Sequence, residues 1–408
     1  MTSHAATTTP PRTRPSTLTL LFIVGSLMTM SALATDVMLP AFPTMAADLG
    51  VSDAAIQRVL SVFMLGYALP HLLVGSAADR FGRRPILLSG MVIYAIGSII
   101  CLFSNDFNSL LIGRFVQGLG CATGPVLARA VLRDLYSGRE LGRMMSFAMI
   151  FFTAAPLLAP SIGVLLLGLG DWHLQFIFLL VIAAVMLVLV LRLLPETLPQ
   201  RDPNALSLPG LISNARRIFQ EPQSAWAIVM LTLAYTPLMA YLASAPVIFI
   251  EHYALSEAQF GLVFAAIASV SFITQPLNAR LLNSFSPKQI LRVVLPLWLL
   301  AVVVLALQLS LGVDSIWSFA ANMAAFFAGF SMTLANTMTL VLEPHFERAG
   351  MASGISGFTQ LGIGTLIGSV IAFFATGGPL PLAVGMVVLV GLALLAYRQI
   401  ARPSAAAS

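Results

Sequence analysis

The sequence predicts an all-α membrane protein with twelve transmembrane helices in two pseudo-symmetric six-helix bundles. Three observations predict it. The 408 residues are 58% hydrophobic and only 9% charged, against about 25% charged residues in a soluble domain. The apolar residues gather into runs long enough to cross a bilayer. The second half of the chain also echoes the first at a nearly constant offset.

A hydrocarbon core of about 30 Å needs about 20 helical residues. Runs of that length are expected at about 18–45, 57–78, 85–104, 108–131, 143–168, 172–194, 224–250, 257–280, 288–311, 315–342, 349–375 and 380–398. The last two are not separated by charge. The 49 uncharged residues from Ala349 to Tyr397 are divided at Thr376-Gly377-Gly378-Pro379-Leu380-Pro381, a turn signal. No alternating ten-residue pattern recurs, as a transmembrane barrel would require.

The charged turn Asp79-Arg80-Phe81-Gly82-Arg83-Arg84 joins the second and third runs. Three arginines in so short a link place it in water on the cytoplasmic side, because inward loops carry the Lys and Arg excess. Both termini are then cytoplasmic, and nineteen of the 21 Lys and Arg fall on that side. The exceptions are Arg58, outside, and Arg114, within the fourth helix. The expected organisation is a disordered tail 1–17, a bundle 18–194, a central loop 195–223, a bundle 224–398 and a tail 399–408. In the central loop, 211–219 with Arg216 and Arg217 has the pattern of a surface-lying amphipathic helix.

The net charge of +5 is spread over short loops, so it is read as a topology signal and not as a nucleic-acid surface. Cys101 and Cys121, both in apolar runs, imply neither a disulfide framework nor a metal cluster. There is no HExxH, no Cys/His cluster and no nucleotide-binding loop, which argues against an enzyme or an ATP-driven pump. No ring of like charge or filter loop suggests a channel.

The internal echo is specific in its placement. Leu49-Gly50-Val51-Ser52-Asp53-Ala54 matches Tyr253-Ala254-Leu255-Ser256-Glu257-Ala258 at an offset of 204. At the same offset Phe81, Arg84, Ile86 and Leu87 fall on Phe285, Lys288, Ile290 and Leu291. A duplicated six-helix unit around a midplane site is the build of a secondary transporter.

The stretch Gly75-x-x-x-Asp79-Arg80-x-Gly82-Arg83-Arg84 resembles the loop 2–3 signature of the major facilitator superfamily. Four further stretches resemble its bicyclomycin/chloramphenicol-resistance (Bcr/CflA) branch of drug:proton antiporters. They are Thr35-Asp36-x-Met38-Leu39-Pro40, Arg114-Phe115-x-Gln117-Gly118, Arg133-Asp134-Leu135-Tyr136 and Ala155-Pro156-x-x-Ala159-Pro160. The resemblance implies a major-facilitator-type fold and a monomer in the bacterial inner membrane. It also implies proton-driven export of phenicol-, bicyclomycin- or sulfonamide-like compounds, with no cofactor beyond the proton-motive force. Export of an endogenous metabolite such as a nucleoside, amino acid or sugar, and proton-coupled uptake, remain open beside it.

The candidate residues follow from depth and polarity. Asp36 is the one acid of the first half that a continuous helix 1 would carry into the bilayer. A carboxylate there is costly when charged and defaults to a functional role as proton carrier; the alternative is an outer-end residue in interfacial water. Arg114 is expected to line the cavity, hold the helix-1 backbone or Gln117, and tune Asp36, or else to snorkel outward. Their offset counterparts, Ala240 and Ser318, are uncharged. Met28, Tyr67, Gln117, Tyr235, Tyr241, Asn322, Asn336 and Gln360 are candidate cavity residues or interhelical bonding groups. Gly75, Asp79, Arg80, Gly82, Arg83, Arg84 and Arg133 form a candidate gate, with Asp79 capping a neighbouring helix or pairing with Arg133. Pro156, Pro160 and Gly163 are expected to shape helix 5. His71 is either packed or a proton relay.

Overall fold

The computed structural model describes residues 16–374 and 378–401. Arg12, Arg14, Arg402 and the turn residues Thr376 and Gly377 lie outside them. Every regular element among the described residues is helical.

Helix α1 (Thr17–Asp36) starts at Ser16, whose side chain accepts from the Thr19 amide. It does not continue to residue 45. A 3-10 turn, Leu39–Ala41, and a short helix, Phe42–Asp48, follow it. Pro40 and Pro43 supply no amide donor, so the ladder cannot run through them. Asp36 is therefore the last residue of α1. Helix α2 (Arg58–Phe81) is interrupted at Pro70. Helix α3 is Arg83–Leu102. Helix α4 (Phe107–Leu135) is capped by Asp106, which accepts from the Asn108 and Ser109 amides, and is broken at Ala122. Helices α5 (Gly138–Leu169) and α6 (His173–Leu193) complete the first six. A surface helix, Leu208–Gln220, fills the central loop and is longer at both ends than the expected 211–219.

The second six are α7 (Pro222–Pro246), α8 (Glu257–Leu281), α9 (Pro287–Ser310), α10 (Ile316–Leu342), α11 (349–374) and α12 (Pro379–Ala401). Helix α11 is Ala349–Phe358, a π-helical turn Thr359–Gly364, and Thr365–Phe374. Ten helices among the described residues are long and apolar enough to cross a membrane. With α5 and the composite α11 the passages number twelve.

The duplication reappears as packing. In the first six, α1 packs on α5 and α6, α2 on α4, and α3 on α4 and α6. In the second, α7 packs on α11 and α12, α8 on α10, and α9 on α10 and α12. The capping residues repeat too: Ser52 accepts from the Ala55 amide, and Ser256, at the offset of 204, accepts from the Gln259 amide.

The two bundles meet where α2 and α4 pack on α11, and where α5 packs on α8 and α10. The α2–α11 crossing is close enough that a Cβ on Gly75 would strike the carbonyl of Gly350 and lie 2.8 Å from the Met351 amide. Gly75→Val is therefore expected to hold this end open. A reporter cysteine, Ser353→Cys, placed where the wild-type hydroxyl is buried and donates to the Val126 carbonyl, should label with a soluble thiol reagent at least about tenfold faster in the Gly75→Val background. Cys101 and Cys121 are buried and provide a low background.

Candidate functional site

The closed end is built from charge. Gly82 adopts φ +111°, a left-handed conformation that suits glycine, and lets the chain turn directly from α2 into α3. Glycine offers no side chain to cap α3, so Glu196 does it from the end of the first bundle. Its carboxylate accepts from the Arg83 amide at 2.9 Å and the Arg84 amide at 3.3 Å. An acid suits the orphan amides at a helix start.

Arg83 is fully buried and donates to Asp79 and, at 3.0 Å, to Asp134. Thr197 also donates to Asp134, at 3.0 Å. Asp79 reaches across the bundles and accepts from the Met351 amide at 3.1 Å, at the start of α11. Asp79 thus caps a neighbouring helix, and its ion pair is with Arg83, not Arg133. Arg133 instead caps the C-terminal end of α10, its guanidinium donating to the carbonyls of Leu342, at 2.8 Å, and Glu343. Its charge sits favourably against that helix C-terminus. Arg80 is exposed and lies over the ring of Phe81. Beside the seal, His345 has its pKa lowered to about 4 by burial, with Arg348 and Arg133 adding to the effect.

A cavity of about 240 Å³ lies between the bundles, beyond the seal. Met28, Ser31, Ala32, Thr35 and Asp36 of α1 line it, with Met64, Tyr67 and His71 of α2 and Pro125 and Arg129 of α4. Met145, Met149 and Phe152 of α5 face Tyr235 and Leu242 of α7, and Leu334, Ala335 and Met338 of α10 face Gly357, Gln360 and Leu361 of α11. Asp36 accepts from the Thr35 hydroxyl at 2.7 Å. His71 is buried, with Nδ1 at 2.7 Å from the Tyr67 carbonyl. Five methionines give the wall adaptable, polarisable surface.

Among the sequence-derived candidates, Met28, Tyr67, Tyr235, Gln360 and Asp36 share this cavity. Others sit elsewhere. Arg114 is not on the wall. It is buried between α2 and α4, where it donates to Gln117 and to the Val59 carbonyl of α2, not α1, and lies 4.3 Å from the ring centre of Phe63. Gln117 is held by Arg114 and by Ser98 at 2.8 Å. Tyr241 stacks on Phe264 and meets Phe327 edge-on. Asn322 bonds Gln308, and Asn336 bonds Asn278. Arg114, Gln117, Asn322 and Asn336 thus bond to groups inside the bundles and not to the cavity, a common outcome for polar side chains in a bundle. Because Arg114 joins two helices by a flat, forked group, Arg114→Lys is expected to lower the melting midpoint by a few degrees while keeping the charge.

Helix α5 runs from Gly138 to Leu169 as one element. The side chain of Pro156 lies outside the described residues, and Pro160 is half-buried. Gly163 is the close approach: a Cβ there would strike the Val37 carbonyl just after α1.

Three residues escaped the sequence reading. Arg129, one of the nineteen basic residues expected on the cytoplasmic side, lies six residues inside the end of α4 and on the cavity wall. The sequence carries the signal, since the expected fourth apolar run, 108–131, includes it. Asp134 and Glu196 complete the seal through contacts 51 and 113 residues away in sequence, which no local pattern reveals.

The family model for the Major Facilitator Superfamily matches residues 24–369. An uncharacterised MFS-type transporter, YdgK of Bacillus subtilis, is 29% identical over 88% of this chain and 90% of its own length. A bicyclomycin resistance protein homolog of Haemophilus influenzae is 28% identical over 94% of this chain and 96% of its own. Among solved structures, the transporter FucP in its outward conformation superposes with a TM-score of 0.75 over 94% of this chain and 99% of that one, at 15% identity.

Proposed function

The chain belongs to the Major Facilitator Superfamily, and from that premise we propose that it exports small, moderately hydrophobic compounds in exchange for protons. It is a multi-pass membrane transporter and not an enzyme. The arginine-rich end, closed here, faces the cytoplasm in this reading, and the cavity faces out. The bicyclomycin resistance relative supports drug-like cargo.

One observation carries the proposal: Asp36 stands on the wall of the cavity between the bundles, while the other end is sealed by the Asp79–Arg83–Asp134 network. A membrane-embedded acid on a solvent-reached cavity takes up a proton from one side. When the bundles rock, the same acid meets the other side. Exchange needs no further cofactor, because one charge moving through 100 mV provides about 2.3 kcal/mol. The two bundles, 18–194 and 224–398, are the rocking units, with the central loop between them.

Everted vesicles with an acid lumen test this. Chloramphenicol added outside should enter in exchange for lumenal protons and dissipate the gradient. A proton-coupled uptake protein would need cargo already inside the lumen, and external chloramphenicol would leave the gradient standing. That result would remove the exchange reading. Dissipation by nucleosides, amino acids or sugars with no response to the drug would favour metabolite export.

A further inference from the structure

Four arginines are buried in the first bundle, and in three of them the protein holds a terminal nitrogen of the guanidinium. Arg83 holds two carboxylates. Arg114 holds Gln117, the Val59 carbonyl and the face of Phe63. Arg133 holds two helix-ending carbonyls. Arg129 differs. Its Nε donates to the Pro125 carbonyl at 2.9 Å, one turn earlier, so the side chain runs back along α4 to the cavity it lines. Among the described residues, no carboxylate lies within ion-pair distance of it, and its two terminal nitrogens find no acceptor. Four charged N–H groups are left facing the cavity.

Neighbouring polar atoms are also unused. With Nδ1 against the Tyr67 carbonyl, His71 keeps Nε2 free; it is buried and has no partner. The side-chain nitrogen of Gln360 is buried without a partner as well. Gly357 makes room for this group, since a Cβ there would lie 3.1 Å from Arg129 Nη2 and 2.6 Å from His71 Cδ2. Polar groups left unpaired inside a protein are costly, and two donor groups, on Arg129 and Gln360, with one acceptor, His71 Nε2, around one end of a cavity describe a place for a ligand. Asp36 stands toward the other end. From Met28 to Asp36 the α1 wall rises about 12 Å.

We propose that this end of the cavity is a subsite for an uncharged oxygen acceptor on the cargo, such as a nitro, carbonyl or sulfonyl group. Arg129 and Gln360 donate to it, and His71 Nε2 takes a neighbouring hydroxyl or N–H. The inference rests on the transport reading and names its substrate class: neutral compounds with an acceptor head on an apolar body. Cations meet the free charge of Arg129 and are rejected. An anionic head would pair with Arg129 but repel ionised Asp36. It would be held best with the acid protonated, so proton and cargo would travel together instead of exchanging.

The test measures equilibrium binding of three aromatic probes to purified full-length protein in lipid nanodiscs. The probes are chloramphenicol (neutral), 4-nitrobenzoate (anion) and tetraphenylphosphonium (cation). Chloramphenicol should bind best to the wild type. Arg129→Gln should weaken it by about tenfold or more, and Arg129→Lys, which keeps the charge but not the fork, by a smaller factor. Tetraphenylphosphonium should bind better to Arg129→Gln than to the wild type. The anion should gain affinity as pH falls, and that gain should vanish in Asp36→Asn.

Unchanged chloramphenicol binding in a well-folded Arg129→Gln overturns the proposal. So does tighter binding of the cation than of chloramphenicol to the wild type, or no binding by any probe. If Arg129→Gln fails to fold, Arg129→Lys decides by the same comparison. The two readings fail separately. Arg129-dependent binding without gradient collapse in vesicles removes proton exchange alone; collapse that persists in Arg129→Gln, with binding unchanged, removes the subsite alone.

Discussion

Asp36→Asn protein, present in the membrane at the wild-type level, is expected to leave a vesicle proton gradient intact when chloramphenicol is added. The expected loss is at least about a hundredfold in initial rate, because no other acid lines the cavity among the described residues. The amide preserves size and can still meet Thr35, whose hydroxyl bonds Asp36 at 2.7 Å and the Ser31 carbonyl at 3.1 Å. What it cannot do is release and take a proton. Binding and downhill movement of a neutral compound should therefore survive while active accumulation is lost. An Asp36→Asn variant that dissipates the gradient at the wild-type rate would show that the coupling proton travels elsewhere.

The second large effect concerns the seal. Asp79→Asn should open the arginine-rich end. Asp79 is half of a buried ion pair with Arg83 and also accepts from the Met351 amide of the opposite bundle. Neutralising it leaves Arg83 with Asp134 alone and removes the anion from the start of α11. Losing one charged partner in such a network costs about 2–3 kcal/mol or more. That corresponds to a shift of roughly thirtyfold or more between closed and open populations. The Ser353→Cys reporter, sealed between α11 and α4, should label correspondingly faster. Arg80→Ala is the matched control. Arg80 is exposed and touches only the Phe81 ring among the described contacts, so its loss should leave labelling unchanged. Equal protection of the reporter in Asp79→Asn and wild type would mean that the glycine crossing at Gly75 and Gly350, and not the charge network, holds this end shut.

The loop 2–3 stretch was largely legible. Gly75, Asp79, Gly82, Arg83 and Arg133 all lie in the closed end, although Asp79 pairs with a different arginine from the one expected. The reason is geometric. Arg83 is one helical turn from Asp79 across the Gly82 bend and reaches it locally, which leaves Arg133 free to cap α10. The cavity was less legible. Gln117 and Gln360 look alike in the chain, each a lone amide in an apolar helix. One is consumed by Arg114 and Ser98, and the other faces the cavity. Arg129 lies near the end of its run, where an arginine so often only sets topology, so nothing local marks it as a cavity residue.

What the chain alone determines is the number of crossings and the twofold plan. Hydrocarbon about 30 Å thick excludes charge and demands uninterrupted helical hydrogen bonding, so uncharged runs, charged turns and a repeat at offset 204 already encode the architecture. What only the tertiary structure decides is which polar groups are satisfied inside the bundles and which are left facing the gap between them. In helices apolar on every side, no contrast in polarity marks the inward face. That choice is made by partners brought from distant positions, as when Glu196 caps α3, Asp79 caps α11, and Arg129 is left with only the Pro125 carbonyl of its own helix to hold.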